Sequence, residues 1–125
     1  MNVKIDTKEK FHVISIIEPS LSANMTEEIR NWLDEVTQNH VKHVILNLKD
    51  VKEIDATMAG FMAAQYEAAC EEGRSFVLCE MQPAVKNTFI AEDLLDVINY
   101  TPTESEAWDI VQMEEIEREL LDGEG

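Results

Sequence analysis

Basic residues are scarce in this chain of 125: ten Lys and Arg stand against 26 Asp and Glu, for a net charge of −16 and an isoelectric point near 4.3. Such an excess of like charge repels nucleic acid and anionic lipid, so no nucleic-acid partner is expected. Cysteine is rarer still. Cys70 and Cys79 are too few for a disulfide scaffold or a zinc site. Long apolar runs are missing, with Val44-Ile45-Leu46 typical of the longest, so no membrane insertion is expected. The opening Met1-Asn2-Val3-Lys4-Ile5-Asp6 lacks the apolar core of a secretory signal, which points to the cytoplasm. The four glycines form no phosphate-cradling loop, and no Ser/His/Asp arrangement is visible. Neither cofactor, metal nor catalytic residue is expected, and the chain is read as no enzyme.

Hydrophobic residues make up 45% of the chain, enough for one core at this length. Residues 3–7 and 11–17 read as two strands around the polar turn Lys8-Glu9-Lys10, and Glu18-Pro19-Ser20 ends the pattern. Thr26-Glu27-Glu28-Ile29 marks a helix start with Thr26 as its cap, and Ile29, Trp32, Leu33 and Val36 give that helix a buried face. Val44–Leu48 is a strand, Ile54 adds one more apolar position, and a helix from Thr57 to Glu72 ends at Gly73. Phe76–Cys79 is a further strand. Pro83 opens a short helix through Phe89, Val97-Ile98 forms a last strand, and a helix begins near Thr103. The alternation predicts an α/β fold: one small, mixed, mostly parallel β-sheet with helical crossovers and an N-terminal β-hairpin at its edge.

Half of the net charge lies in residues 103–125, which hold nine acids and Arg118 as their one base. Through this segment Ala107, Ile110, Val111, Met113, Ile116 and Leu120 recur at helical spacing, drawing an apolar stripe. The expected division is a domain over 1–112 and an acidic helical extension over 113–125. The ending Asp122-Gly123-Glu124-Gly125 is expected to fray.

Residues 56–66, Ala-Thr-Met-Ala-Gly-Phe-Met-Ala-Ala-Gln-Tyr, carry no charge in a chain that is 29% charged, a run with a chance probability of roughly 2%. Met58, Phe61, Met62 and Tyr66 point around the helix instead of to one side, so this helix is either sandwiched within the chain or docks a partner on its outer face. Gly60 inside it costs about 1 kcal/mol relative to Ala, a cost that either marks a close backbone approach or is simply tolerated.

The strand Val44–Leu48, followed shortly by Ile54-Asp55-Ala56-Thr57-Met58-Ala59-Gly60-Phe61, resembles the signature of the STAS domain family, whose typical members are bacterial anti-sigma-factor antagonists. The resemblance extends through the order of elements over about 3–112, including Phe76–Cys79 and the following Pro83. Asp55 matches the family Asp, Gly60 matches its second Gly, and Thr57 falls where a partner kinase phosphorylates Ser or Thr. Three positions depart: Ala56 replaces a Ser, Met58 replaces the first Gly, and Leu21 is followed by Ser22 where an Asp is frequent. The resemblance implies a non-catalytic interaction module that binds a serine/threonine-kinase-type anti-sigma factor and is switched at Thr57. Its partner-binding residues are then Ser20, Ser22, Asn24, Asp55, Thr57, Met58, Phe61 and Met62. It equally allows a scaffold subunit of a stress-signalling or lipid-transport assembly, without a phospho-switch.

A phosphate on Thr57 gains from the free amides and dipole of a helix start and is opposed by the nearby Asp55. It adds about −1.5 to −2 charges to a neutral contact surface, so it releases a partner whose binding requires desolvation there. The plainer alternative is that Asp55 or Thr57 merely caps the helix. His40 and His43 read as solvated loop residues, and Cys79 as a small buried hydrophobe. Asn24-Met25-Thr26 and Asn99-Tyr100-Thr101 match the glycosylation pattern, which has no consequence in the cytoplasm.

Overall fold

Apolar residues alternate along the three central strands so that each of these strands serves two cores. The computed structural model describes residues 1–38 and 40–124, with side chains through Leu121. Val3–Thr7 (β1) runs antiparallel to Phe11–Ile16 (β2), in the register Val3↔Ile16 to Thr7↔His12. β2 then pairs in parallel with His43–Asn47 (β4), β4 with Phe76–Cys79 (β6), and β6 with Tyr100–Thr101 (β7). The sheet order is β1-β2-β4-β6-β7. Two-residue strands Ser20–Leu21 (β3) and Glu53–Ile54 (β5) form a separate parallel pair.

Ile14, Ile16, Val44, Leu46 and Leu78 face a large core closed by the helices Thr26–Val36 (α1), Ala56–Glu71 (α2) and Pro83–Ala91 (α3). Their sequence neighbours Val13, Ile45, Val77 and Cys79 face the other way, onto Ala107 and Val111 of the helix Glu104–Glu124 (α4). This period-two alternation lets one sheet bury both faces. The edge strand β1 is mostly exposed and carries Lys4 and Asp6, charges that discourage pairing with further strands. The expected mixed, mostly parallel sheet with an N-terminal hairpin is the observed one.

Several boundaries differ from expectation. The last strand lies at Tyr100–Thr101, because the Val97 and Ile98 amides turn back to the Leu94 carbonyl and leave Asn99 and Tyr100 to meet β6. Met25, not Thr26, sits at the α1 N-cap position. Thr26 donates its hydroxyl to the Ala23 carbonyl at 2.9 Å. Trp32 and Val36 are only partly buried beside Ile29 and Leu33. His43 is no loop residue: it lies in β4, its Nδ1 accepts the Ser75 amide at 2.9 Å, and its Nε2 meets Glu115 at 2.6 Å. His12, which no pattern singled out, is buried between the Thr7 hydroxyl and the Val41 carbonyl.

α2 ends as expected at Gly73, whose φ of 71° allows the Arg74 amide to return to the Ala69 carbonyl at 2.8 Å. α4 runs unbroken through residue 112 and keeps its helical backbone through Glu124, past the expected start of fraying at Asp122. Gly125 lies outside the described residues. No helix among the described residues is long and apolar enough to cross a membrane.

Candidate functional site

The short β3–β5 pair determines what surrounds the start of α2. It aligns Leu21 with Ile54, which carries the segment after Leu21 alongside Asp55. The Asp55 amide donates to the Leu21 carbonyl at 3.1 Å. Its carboxylate then divides its two oxygens. Oδ1 accepts the Met58 amide at 2.8 Å and so caps α2, while Oδ2 accepts the Ala23 amide at 2.8 Å. One side chain thus starts the helix and ties the preceding loop to it. Within that loop the Ser22 hydroxyl donates to Asn24 Oδ1 at 2.5 Å, and Ser20 donates to Glu53 at 3.3 Å.

Thr57 is the second residue of α2 and is exposed. The Met58 amide goes to the Asp55 side chain and the Ala59 amide to the Asp55 carbonyl. The Ala56 and Thr57 amides have no acceptor among the described residues. Both lie at the positive end of the helix dipole. The outer face of α2 continues with Ala56, Gly60 and Ala64, all exposed and all uncharged.

The large side chains of the neutral run lie elsewhere than expected. Met58 and Met62 are 0% and 1% exposed and belong to the main core, as does Phe61 at 9%. Met58, Phe61, Met62 and Tyr66 span only about 140° of the helix at ~100° per residue, an arc that one sheet face covers. Met58 and Met62 therefore offer no surface to a partner, and small residues form the accessible side. A Cβ built on Gly60 meets nothing within 4 Å, so the expected close approach does not occur within the chain.

Asp55, Thr57, Ser22 and Asn24 are brought together; Ser20 lies one strand earlier, in β3. Two contributors escaped the sequence reading. The Ala23 backbone amide is one, since a backbone donor leaves no mark in sequence. The other is Arg30, whose guanidinium lies 5.3 Å from the Phe61 ring centroid and pairs with Glu27. Away from the site, Cys79 is fully buried, and burial, with Glu104 and Glu80 nearby, pushes its thiol up to about 12. Tyr66 is raised to about 12 chiefly by its hydrogen bond with Cys70, and further by burial. Among the described residues no three His, Cys, Asp or Glu are grouped to hold a metal ion.

The chain matches the STAS domain family over residues 2–107. It belongs to that family. It is similar to the anti-sigma F factor antagonist of Paenibacillus polymyxa, with 23% identity over 87 residues covering 68% of this chain and 74% of the relative. Among solved structures it resembles the anti-sigma factor antagonist SpoIIAA in its unphosphorylated form, at 20% identity and a TM-score of 0.70, covering 89% of this chain and 96% of that one. A chain of the stressosome, described as a signal integration and transduction hub, superposes with a TM-score of 0.67 at 16% identity, covering 87% and 96%.

Proposed function

We propose that this chain is a non-catalytic interaction module of the anti-sigma-factor-antagonist kind. It presents the start of α2 and the loop from Ser22 to Asn24 to a serine/threonine-kinase-type anti-sigma factor in the cytoplasm of a bacterium, and phosphorylation of Thr57 releases that partner. The observation that carries this reading is the exposure of Thr57 at the start of α2, among the small uncharged residues Ala56 and Gly60 and beside a loop tied down by Asp55. A kinase needs an accessible hydroxyl, and the partner needs a surface that is inexpensive to desolvate. Small, neutral side chains meet both requirements. A phosphate placed there adds a dianion that the interface must bury. The likeness to an anti-sigma F factor antagonist supports the class of partner.

The contact surface on this reading is Ser22, Asn24, Ala56, Thr57, Gly60 and the edge of Phe61 under Arg30, with Asp55 positioning the loop. Phosphosite mass spectrometry on the protein recovered from growing and stressed native cells tests the switch. Modification localised to Thr57 and changing with condition is the expected result. Cross-linking then identifies the partner, which Thr57→Ala retains and Thr57→Glu loses. A second reading, a scaffold subunit without a phospho-switch, is favoured by Met58, a core side chain standing where the family signature has Gly. Co-purification with a large assembly, unaffected by either Thr57 variant, would decide for it.

A further inference from the structure

The end of α4 is an amphipathic helix turned inside out. Its polar side meets the domain: Glu115 bonds His43 at 2.6 Å, and Glu114 and Arg118 both reach the Ser75 hydroxyl, at 2.6 and 3.0 Å. Its apolar side meets water. Met113, Ile116 and Leu120 are 59%, 57% and 65% exposed. At ~100° per residue, the inward-facing Ala107, Val111, Glu114, Glu115 and Arg118 centre roughly opposite these three. The helix outruns its support: 21 residues extend about 31 Å, whereas the six residues of β2, the longest strand, extend about 20 Å.

A helix that only needed to pack on its own domain gains nothing from three large apolar residues on its far side. The three recur at intervals of three and four, the spacing of a seam that another helix can fill. Ile116 also borders a depression of about 290 Å³ rimmed by Lys10, Gln112, Glu115 and Glu119, wide enough for an apolar anchor. Charge restricts the occupant. Glu117 and Glu119 flank the seam, and residues 103–125 hold nine acids to one base, that base being engaged with Ser75. A second copy would bring two such segments together at a repulsive cost, and anionic lipid would be repelled in the same way.

We infer that the exposed face of α4 formed by Met113, Ile116 and Leu120 docks a basic amphipathic helix of another protein. The seam takes the apolar side of that helix, and the flanking glutamates take its Lys or Arg. This site lies on the far side of the sheet from α2, so it is separate from the surface proposed above and independent of Thr57.

The test titrates the full chain with synthetic helical peptides of about 18 residues, long enough for several turns. One has Leu at heptad spacing and Lys elsewhere, one has Leu with Glu, and one has Ser in place of each Leu among the Lys. The comparison protein carries Met113→Gln, Ile116→Gln and Leu120→Gln, exposed positions at which the fold should persist, as far-UV circular dichroism verifies. The Leu/Lys peptide is expected to bind and to weaken as salt rises, and to lose at least about tenfold in affinity on the triple variant. The other two peptides should bind at least about tenfold more weakly to the native chain. Equal binding of the Leu/Lys peptide to the triple variant, or of the Leu/Glu or Ser/Lys peptide to the native chain, overturns the inference. So does a dimer in sedimentation that the triple variant abolishes, which assigns the seam to a second copy. Binding to phosphatidylcholine vesicles that the variant abolishes assigns it to a membrane instead and equally overturns it.

Discussion

The Asp55 carboxylate accepts the Ala23 amide at 2.8 Å across 32 residues of sequence, while its other oxygen holds the Met58 amide. Capping a helix and fixing a loop are usually separate tasks. Here they share one side chain, so the loop and the start of α2 form a single surface. Replacing Asp55 by Ala removes the cap and leaves two amides without their acceptor. The expected cost is about 1–2 kcal/mol of unfolding free energy. Asp55→Asn should lose less, because its amide oxygen still accepts one of the two N–H groups, although its NH2 donor cannot serve the other. Urea unfolding measures the difference, and faster amide exchange at Ala23 locates it. Ala23 exchange unchanged in Asp55→Ala would refute the tether.

Met58 and Met62 separate core from surface. Both are buried in the main cluster, so Met58→Ala or Met62→Ala should lower stability by about 2–5 kcal/mol. Exposed Thr57→Ala should stay within about 0.5 kcal/mol of the parent. Parallel denaturation curves give the comparison. A Met62→Ala protein as stable as the parent would show that this side chain lies at the surface after all.

Gly60 offers the opposite sign. It lies exposed in the second turn of α2, with open space where a Cβ would point. Ala there removes the entropic cost of a helical glycine at no steric expense, and Gly60→Ala should stabilise the isolated chain by about 0.5–1 kcal/mol. A thermal melt reads this directly. If the same variant binds its partner less well, the close approach that glycine permits is made by the partner's backbone.

The strands were legible because β-branched runs bounded by turn residues repeat along the chain, and the two ends of α2 were marked by Asp55 and Gly73. The mispredicted strand at Val97-Ile98 shows the limit of that reading. Two β-branched residues satisfy a strand pattern, but the turn back to Leu94 is a matter of backbone hydrogen bonds, which composition does not encode. The candidate site was legible at Asp55 and Thr57, where local helix chemistry selects the residue type. Its loop half was less so, since the β3–β5 pair is only two residues long and joins segments more than thirty positions apart. The orientation of α4 was hidden for a related reason. Its apolar stripe identifies a helix, yet the inward-facing polar contacts of Glu114, Glu115 and Arg118 depend on Ser75, just before β6, and on His43, at the start of β4.

The two thiols should report on the fold in opposite ways. Cys70 is exposed and Cys79 fully buried, so a thiol reagent at pH 8 should modify one cysteine rapidly in the native chain and two after unfolding. Alkaline pH adds a thermodynamic consequence. Folding raises the Cys79 thiol from 9.0 to about 12, so above pH 9 the unfolded chain has released a proton that the folded chain still holds. The unfolded state then binds fewer protons, and stability falls as pH rises, by at most about 1.4 kcal/mol per unit from this group. The contribution is complete below pH 9, declines between 9 and about 12, and levels off beyond. Tyr66, raised from 10.0 to about 12, acts with the same sign from pH 10 upward. Cys79→Val should therefore shift the onset of alkaline destabilisation from near pH 9 to near pH 10, measured by urea midpoints across the series. An onset that stays at pH 9 in Cys79→Val would mean that another group governs the alkaline limit.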